Sequence, residues 1–208
     1  MTNIPIILHK NDLPSDVTFS DSVAIDSETM GLKPYRDRLC LIQLRGRDTD
    51  VHLVQFDKGA YDAPNLKKLL TDPSVDKIFH FARFDLQVIQ YYLKVECTPV
   101  YCTKMASKLC RTFTDKHGLR DTVRDLLEVD LNKEKQSSDW GSSDLSEEQK
   151  VYAANDVIHL HALRDKLDEM IAREGRTDML RAINEFLPYR AALDRLGWRE
   201  TDIFAHRD

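Results

Sequence analysis

Apolar residues along this chain follow two rhythms. In the first part they come in short runs bounded by turn residues. Residues 4–8 form one run, Val23-Ala24-Ile25 leads into Asp26, and Leu39-Cys40-Leu41-Ile42-Gln43-Leu44 is followed, after Gly46 and a polar stretch, by Val51-His52-Leu53-Val54. Runs of this length and punctuation predict strands, and the spacing of three successive ones predicts an antiparallel meander with a hairpin at Gly46. After Val54 the rhythm changes. Pro64 opens a helical turn through Leu69-Leu70, Lys77-Ile78-Phe79-His80 reads as a strand, and residues 84–93 carry apolar side chains at helical spacing. Val100-Tyr101 predicts a short last strand, with helices over about 103–109 and 119–127 behind it. The polar stretch 132–144 reads as a loop. Ser146-Glu147-Glu148-Gln149 then carries the signature of a capping box, opening one long helix that runs through Tyr152 and Asp156 to about residue 173 and closes at Gly175. A final helix over about 178–196, kinked or broken at Pro188, precedes the tail 198–208.

Composition narrows the class. With 208 residues and 42% apolar content, the chain suits one α/β domain around one core, 1–208, with a C-terminal helical extension. It contains neither an export-signal pattern nor a run of about 18 apolar residues, so the expectation is a cytoplasmic protein that does not enter a membrane. Cys40, Cys97, Cys102 and Cys110 lie in or beside apolar runs, without a CxxC pair or a His at zinc-finger spacing, and read as buried, reduced thiols. A net charge of −5 argues against coating long nucleic acid through a broad basic surface. A site that grips only a terminus needs few phosphate contacts, and bound divalent ions add positive charge that a residue count omits.

The candidate chemistry lies in carboxylates. Asp26 and Glu28 are two apart at the end of an apolar strand and project from one face. Adjacent carboxylates repel, which is costly near a core unless a cation sits between them. Tyr152 and Asp156 are four apart and share a helix face, and Asp is a poor residue inside a helix because its side chain competes for backbone hydrogen bonds. Asp85 falls at a helix start, where a carboxylate also suits the positive end of the dipole. Taken singly, each has a bland reading: a polar strand end, a helix N-terminal charge, an amphipathic helix. Their joint appearance in this order does not.

With these residues in Asp26-Ser27-Glu28, His80-Phe81-Ala82-Arg83-Phe84-Asp85 and Tyr152-Ala153-Ala154-Asn155-Asp156, the chain resembles the DEDDy exonucleases, the ribonuclease D-like branch of the ribonuclease H-like superfamily. Leu41-Ile42-Gln43-Leu44 and Ser138-Asp139-Trp140 are similar to that branch too. Further runs, His9-Lys10-Asn11-Asp12-Leu13-Pro14, Arg36-Asp37-Arg38-Leu39-Cys40, Cys102-Thr103-Lys104, Gln136-Ser137-Ser138-Asp139-Trp140 and Asp202-Ile203-Phe204-Ala205-His206, resemble a compact bacterial subgroup of it, the nano-ribonuclease C type, which degrades very short RNA.

The resemblance implies a ribonuclease H-like mixed sheet, an antiparallel meander plus parallel strands, flanked by helices and without the helical accessory domain of full-length ribonuclease D. It implies two-metal-ion 3′–5′ hydrolysis of short RNA, diribonucleotides above all, to nucleoside 5′-monophosphates. Asp26, Glu28 and Asp156 would hold one ion, Asp26 the second as well, with Asp85 serving the second mostly through water and Tyr152 orienting the attacking water. An oxygen-only donor set independently suits Mg²⁺ or Mn²⁺ rather than zinc. Around this core, Leu32 after Gly31 is either a wedge against the terminal base or a buried loop leucine. His80, Lys133, Gln136, Ser137 and Ser138 are candidate phosphate or sugar contacts. Phe81 or Trp140 is a candidate base-stacking ring, with a loop-anchoring role open for Trp140, while His159 and His161 read as structural or surface residues. The resemblance also implies a ring-like homo-octamer, to which Phe186, Leu187, Trp198, Ile203 and Phe204 would bring apolar surface unless they pack on their own domain. Two other functions stay in view: trimming of structured RNA or DNA 3′ ends, and a catalytically dead nucleic-acid-binding scaffold, which has no evident need of four clustered acids.

Overall fold

The computed structural model describes residues 4–131 and 138–206. Along the chain these form strands β1 (Ile6–Lys10), β2 (Ser22–Thr29), β3 (Leu39–Arg45) and β4 (Val51–Gln55), then helix α1 (Pro64–Thr71), strand β5 (Asp76–Phe79), helix α2 (Ala82–Tyr92) and strand β6 (Val100–Cys102). Helices α3 (Thr103–Cys110), α4 (Leu119–Leu127), α5 (Glu147–Ile158), α6 (Leu160–Arg173) and α7 (Thr177–Arg195) follow. One mixed sheet has the order β1-β4-β3-β2-β5-β6. The centre is the expected meander, β2 antiparallel to β3 and β3 to β4, while β1 joins β4, β5 joins β2 and β6 joins β5 in parallel.

Helices cover both faces of this sheet, and the strands at its centre are correspondingly apolar on both sides. Val23 and Ile25 of β2 face a core shared with α1, α2 and the middle of α7. Ala24 faces the other way, with Leu41, Leu53 and Ile78, into a core closed by α5 and α6. The β2–β3 register slips between Glu28 and Thr29, where pairing jumps from Leu41 to Leu39. This bulge bends the ribbon at the very end of the strand that carries Asp26 and Glu28.

One sequence expectation is corrected and two are narrowed. The helix opened by Ser146 does not run on to residue 173: it stops at Ile158, and α6 restarts at Leu160. His159 between them still has near-helical angles (φ −99°, ψ −5°), but the partners differ on either side. α5 crosses β2, β3 and β4, whereas α6 packs on α3 and α4, with His161 buried against the Ser22 hydroxyl at 3.1 Å. Pro188 does not break α7; it lies buried inside a continuous helix, and its carbonyl accepts from Gln90 of α2 at 3.0 Å. Leu187 is buried in the domain's own core and is not free apolar surface, whereas Trp198, Ile203 and Phe204 are exposed. All four cysteines are buried and unpaired by disulfides, as expected.

Candidate active site

Asp26 and Glu28 leave β2 on the face that α5 covers. The helix settles close to the strand because the residues between them are small: Ala24 on β2 and Ala153 and Ala154 on α5 are all buried. That approach delivers Asp156. Carboxylate oxygens of Asp26, Glu28 and Asp156 all lie within 4.8 Å of one another, each side chain partly buried. Because α5 ends at Ile158, Asp156 sits in its last turn, where the negative end of the helix dipole adds to the cost of its charge.

Asp85 arrives differently. It lies in the first turn of α2, buried, and accepts a 2.6 Å hydrogen bond from the Ser27 hydroxyl. Ser27 alternates to the opposite face of β2 from its two acidic neighbours, so Asp85 reaches the strand from the α2 side. Sequence reasoning passed over Ser27, although its place between two candidate ligands was a signal. α2 itself is held by Arg83, whose guanidinium clamps Asp194 of α7 at 2.6 and 2.7 Å.

Burial and mutual repulsion keep these acids protonated far above the ordinary carboxylate range. Asp26 is raised to about 7, mainly by burial. Glu28 is raised to about 10 by burial, then by Asp26, Asp156 and Asp85. Asp85 and Asp156 are also raised, by burial and then by Asp26. A cluster of oxygen donors that resists ionising by itself at neutral pH fits a hard divalent cation, which removes the repulsion and replaces the protons. The donor set therefore fits a hard divalent cation such as Mg²⁺, with Asp26, Glu28 and Asp156 as the residues that could hold it.

Tyr152 stands one helical turn before Asp156, half-buried, with its ring 6.0 Å from that of Trp140. Its hydroxyl is pushed well above its usual range by burial and by Asp156, Glu28 and Asp26, so it stays protonated and offers a hydrogen bond rather than a base. Trp140 is buried, which makes it the anchor of its loop and not a base-stacking ring. Phe81 is the exposed one (38%), held at φ +72° where the chain turns from β5 into α2, with Lys104 Nζ 4.3 Å from its ring centre.

His80 is turned inward, which corrects its reading as a phosphate contact. Nε2 donates to the His117 carbonyl at 3.0 Å, leaving Nδ1 to accept from the Thr103 hydroxyl at 2.8 Å. Burial lowers its pKa to about 3, so the ring is neutral and both nitrogens are spoken for. Leu32 is 77% exposed, which removes the buried-leucine alternative. The loop that carries it is built on Asp37, which accepts from the Lys33 amide at 3.0 Å and from Arg36. Gly31 is required there, because a Cβ would stand 2.4 Å from the Asp37 carboxylate. Ser138 is partly buried beside Trp140, and Lys133, Gln136 and Ser137 lie outside the described residues.

A family model described as 3′–5′ exonuclease matches residues 9–172, which span every acid of this cluster. The chain belongs to that family. A ribonuclease D from Gluconacetobacter diazotrophicus is 38% identical over 156 residues, 75% of this chain but 39% of the relative, so the chain spans about two-fifths of the length of that ribonuclease D. A solved structure of Brucella melitensis NrnC bound to pGG is 48% identical, covers 98% of this chain and 100% of its own, and superposes with a TM-score of 0.92. The same nuclease with bound Mg²⁺ gives 48% identity, the same coverage and a TM-score of 0.91. Escherichia coli ribonuclease D, an exoribonuclease of structured RNA processing, is 25% identical over 82% of this chain and 44% of its own, with a TM-score of 0.72.

Proposed function

We propose that this exonuclease-family chain is a single-domain, two-metal-ion 3′–5′ exoribonuclease that acts on very short RNA, diribonucleotides above all, and releases nucleoside 5′-monophosphates. The observation that carries the chemistry is the convergence of Asp26, Glu28 and Asp156, with oxygens within 4.8 Å, beside a protonated Tyr152. Similarity over nearly the whole chain to a nuclease bound to pGG supports the short substrate, and similarity to its Mg²⁺ complex supports the ion.

Asp26, Glu28 and Asp156 would hold one divalent ion and Asp26 a second, Mg²⁺ or Mn²⁺. Such a pair would supply the positive charge that stabilises the attacking and leaving oxygens of an in-line displacement. Asp85, held by Ser27, keeps its carboxylate beside Asp26 for the second position. Tyr152 donates its hydroxyl hydrogen bond and orients the attacking water. Leu32, exposed at the tip of its loop, packs against the terminal base, and Phe81 offers a second ring face. Lys133, Gln136, Ser137 and Ser138 are proposed to meet the 5′ phosphate. No described helix is long and apolar enough to cross a membrane, and a cytoplasmic location is proposed with the activity.

The test is digestion of 5′-labelled RNAs from two nucleotides upward, with and without Mg²⁺ or Mn²⁺, and products resolved by length. A 5′-phosphorylated diribonucleotide is expected to be cleaved with much higher efficiency than the same linkage at the end of a long RNA. Equal efficiency on two- and twenty-nucleotide RNAs would favour a general trimming exonuclease, the reading that the ribonuclease D relatives support.

A further inference from the structure

Gln43 poses a problem that packing does not answer. It is fully buried, and neither its Oε1 nor its Nε2 has a hydrogen-bond partner among the described residues. It lies on β3 directly opposite Asp26 of β2 and Leu53 of β4. Directly paired residues of an antiparallel ladder share a face, with Cβ atoms about 4.5–5.5 Å apart. Gln43 therefore flanks Asp26 on the side covered by α5, the helix that brings in Asp156. Around it, Leu41, Leu53, Ala153, Ala154 and Val157 all belong to one apolar core. In such surroundings an unpaired amide is worse than a leucine or methionine of similar size. On the same face Gln55 is engaged with Lys10 and the Ser142 carbonyl, and Arg45 with the Ile158 carbonyl, which leaves the carboxylates of the acidic cluster, one strand away, to engage the amide.

We infer that Gln43 is a positioning residue for Asp26: its Nε2 donates through one ordered water to the Asp26 carboxylate and fixes which oxygen Asp26 presents to a divalent ion. The amide is too buried to touch substrate, and a bridging water has the two or more polar partners it needs between the amide and the carboxylates. Partners of this kind orient ligands, and their loss typically weakens metal affinity or activity by about 10–100-fold. The inference rests on the reading that Asp26, Glu28 and Asp156 hold a divalent ion.

Gln43→Met removes the amide at nearly constant length, and Gln43→Leu does so with a different shape. Three readouts are needed: Mn²⁺ binding by calorimetry without substrate, thermal melting of the metal-free protein, and kcat and KM on a short RNA. The expected result is Mn²⁺ affinity weaker by about tenfold or more and a lower kcat with little change in KM, while metal-free melting is unchanged or raised. Wild-type-like Mn²⁺ affinity in a folded variant, or a loss of metal-free stability in both variants, would make Gln43 a core residue only and overturn the inference. Failure of the wild-type protein to bind Mn²⁺ would instead sink the ion reading, and this inference with it.

Discussion

Every acid of the cluster is placed where its charge costs stability without a cation, and that gives the metal-free protein a characteristic pH dependence. Asp26 and Glu28 titrate higher when folded than when unfolded, so between about pH 4 and their raised values the folded state holds more protons. Stability from these groups is present at low pH and falls as pH rises, through about 7 for Asp26 and towards about 10 for Glu28. Asp156→Asn should flatten that decline and melt higher than wild type at pH 8 in chelator, by ~2–4 °C if about 1 kcal/mol of repulsion is relieved. It should also abolish hydrolysis. Stabilisation of the wild type by Mg²⁺ should grow over the same pH range, since ion and protons compete for the same oxygens. Melting curves across pH with and without metal decide both points, and a variant that keeps near wild-type turnover would contradict the ligand role. Tyr152→Phe tests the orienting hydroxyl: kcat should fall by roughly 10²-fold while KM barely moves, because the ring stays against Trp140. A raised KM with unchanged kcat would move Tyr152 into substrate recognition.

Three elements converge on the site, each by its own device. β2 carries two ligands at the strand period, α5 approaches over alanines, and α2 is clamped to α7 by the Arg83–Asp194 pair, with Gln87 donating to the same carboxylate at 2.9 Å. Asp194 is buried, so Arg83→Met strips a buried charge of its main partner; about 3 kcal/mol of stability should go, read by chemical denaturation. A loss of no more than a few tenths would show that Arg190, 3.1 Å from Asp194, suffices alone. The loop after β2 is a separate lever. Leu32→Ala leaves its Asp37 scaffold untouched and should weaken dinucleotide preference by ~1–3 kcal/mol in relative kcat/KM, the scale of one stacking contact. Unchanged selectivity would remove the wedge role.

At the scale of the whole molecule, apolar side chains remain exposed on the C-terminal segment: Trp198, Ile203 and Phe204, with the Phe204 ring tilted at 56° to that of Phe186 of α7, 6.1 Å away. Apolar surface in such a cluster suits contact with another copy of the chain, and closed symmetry is the usual outcome for soluble homo-oligomers. We propose a closed assembly, an octamer, and light scattering at micromolar concentration should report several-fold the 24.1 kDa chain mass. A monomer there would contradict it.

The shared face of Asp26 and Glu28, that of Tyr152 and Asp156, the meander and the capping box of α5 were legible in the sequence, because each rests on local chemistry: a period of two along a strand, a period near four along a helix, and Ser146 and Gln149 exchanging hydrogen bonds across one turn. Parallel pairing of β1, β5 and β6 was implied only by family resemblance, since nothing local marks a strand as parallel. The stop at His159 was hidden because its residues are good helix formers, and what turns the chain is the different partners of α5 and α6. His80 was misplaced, and Trp140 left undecided, for a related reason. A histidine or tryptophan beside a motif looks the same in sequence whether it faces substrate or core, and only the packed neighbours, Thr103 and His117 for one and Tyr152 for the other, decide. Gln43 is the extreme case. Its letter in an apolar run says nothing until strand register sets it opposite Asp26 and burial takes it out of bulk solvent.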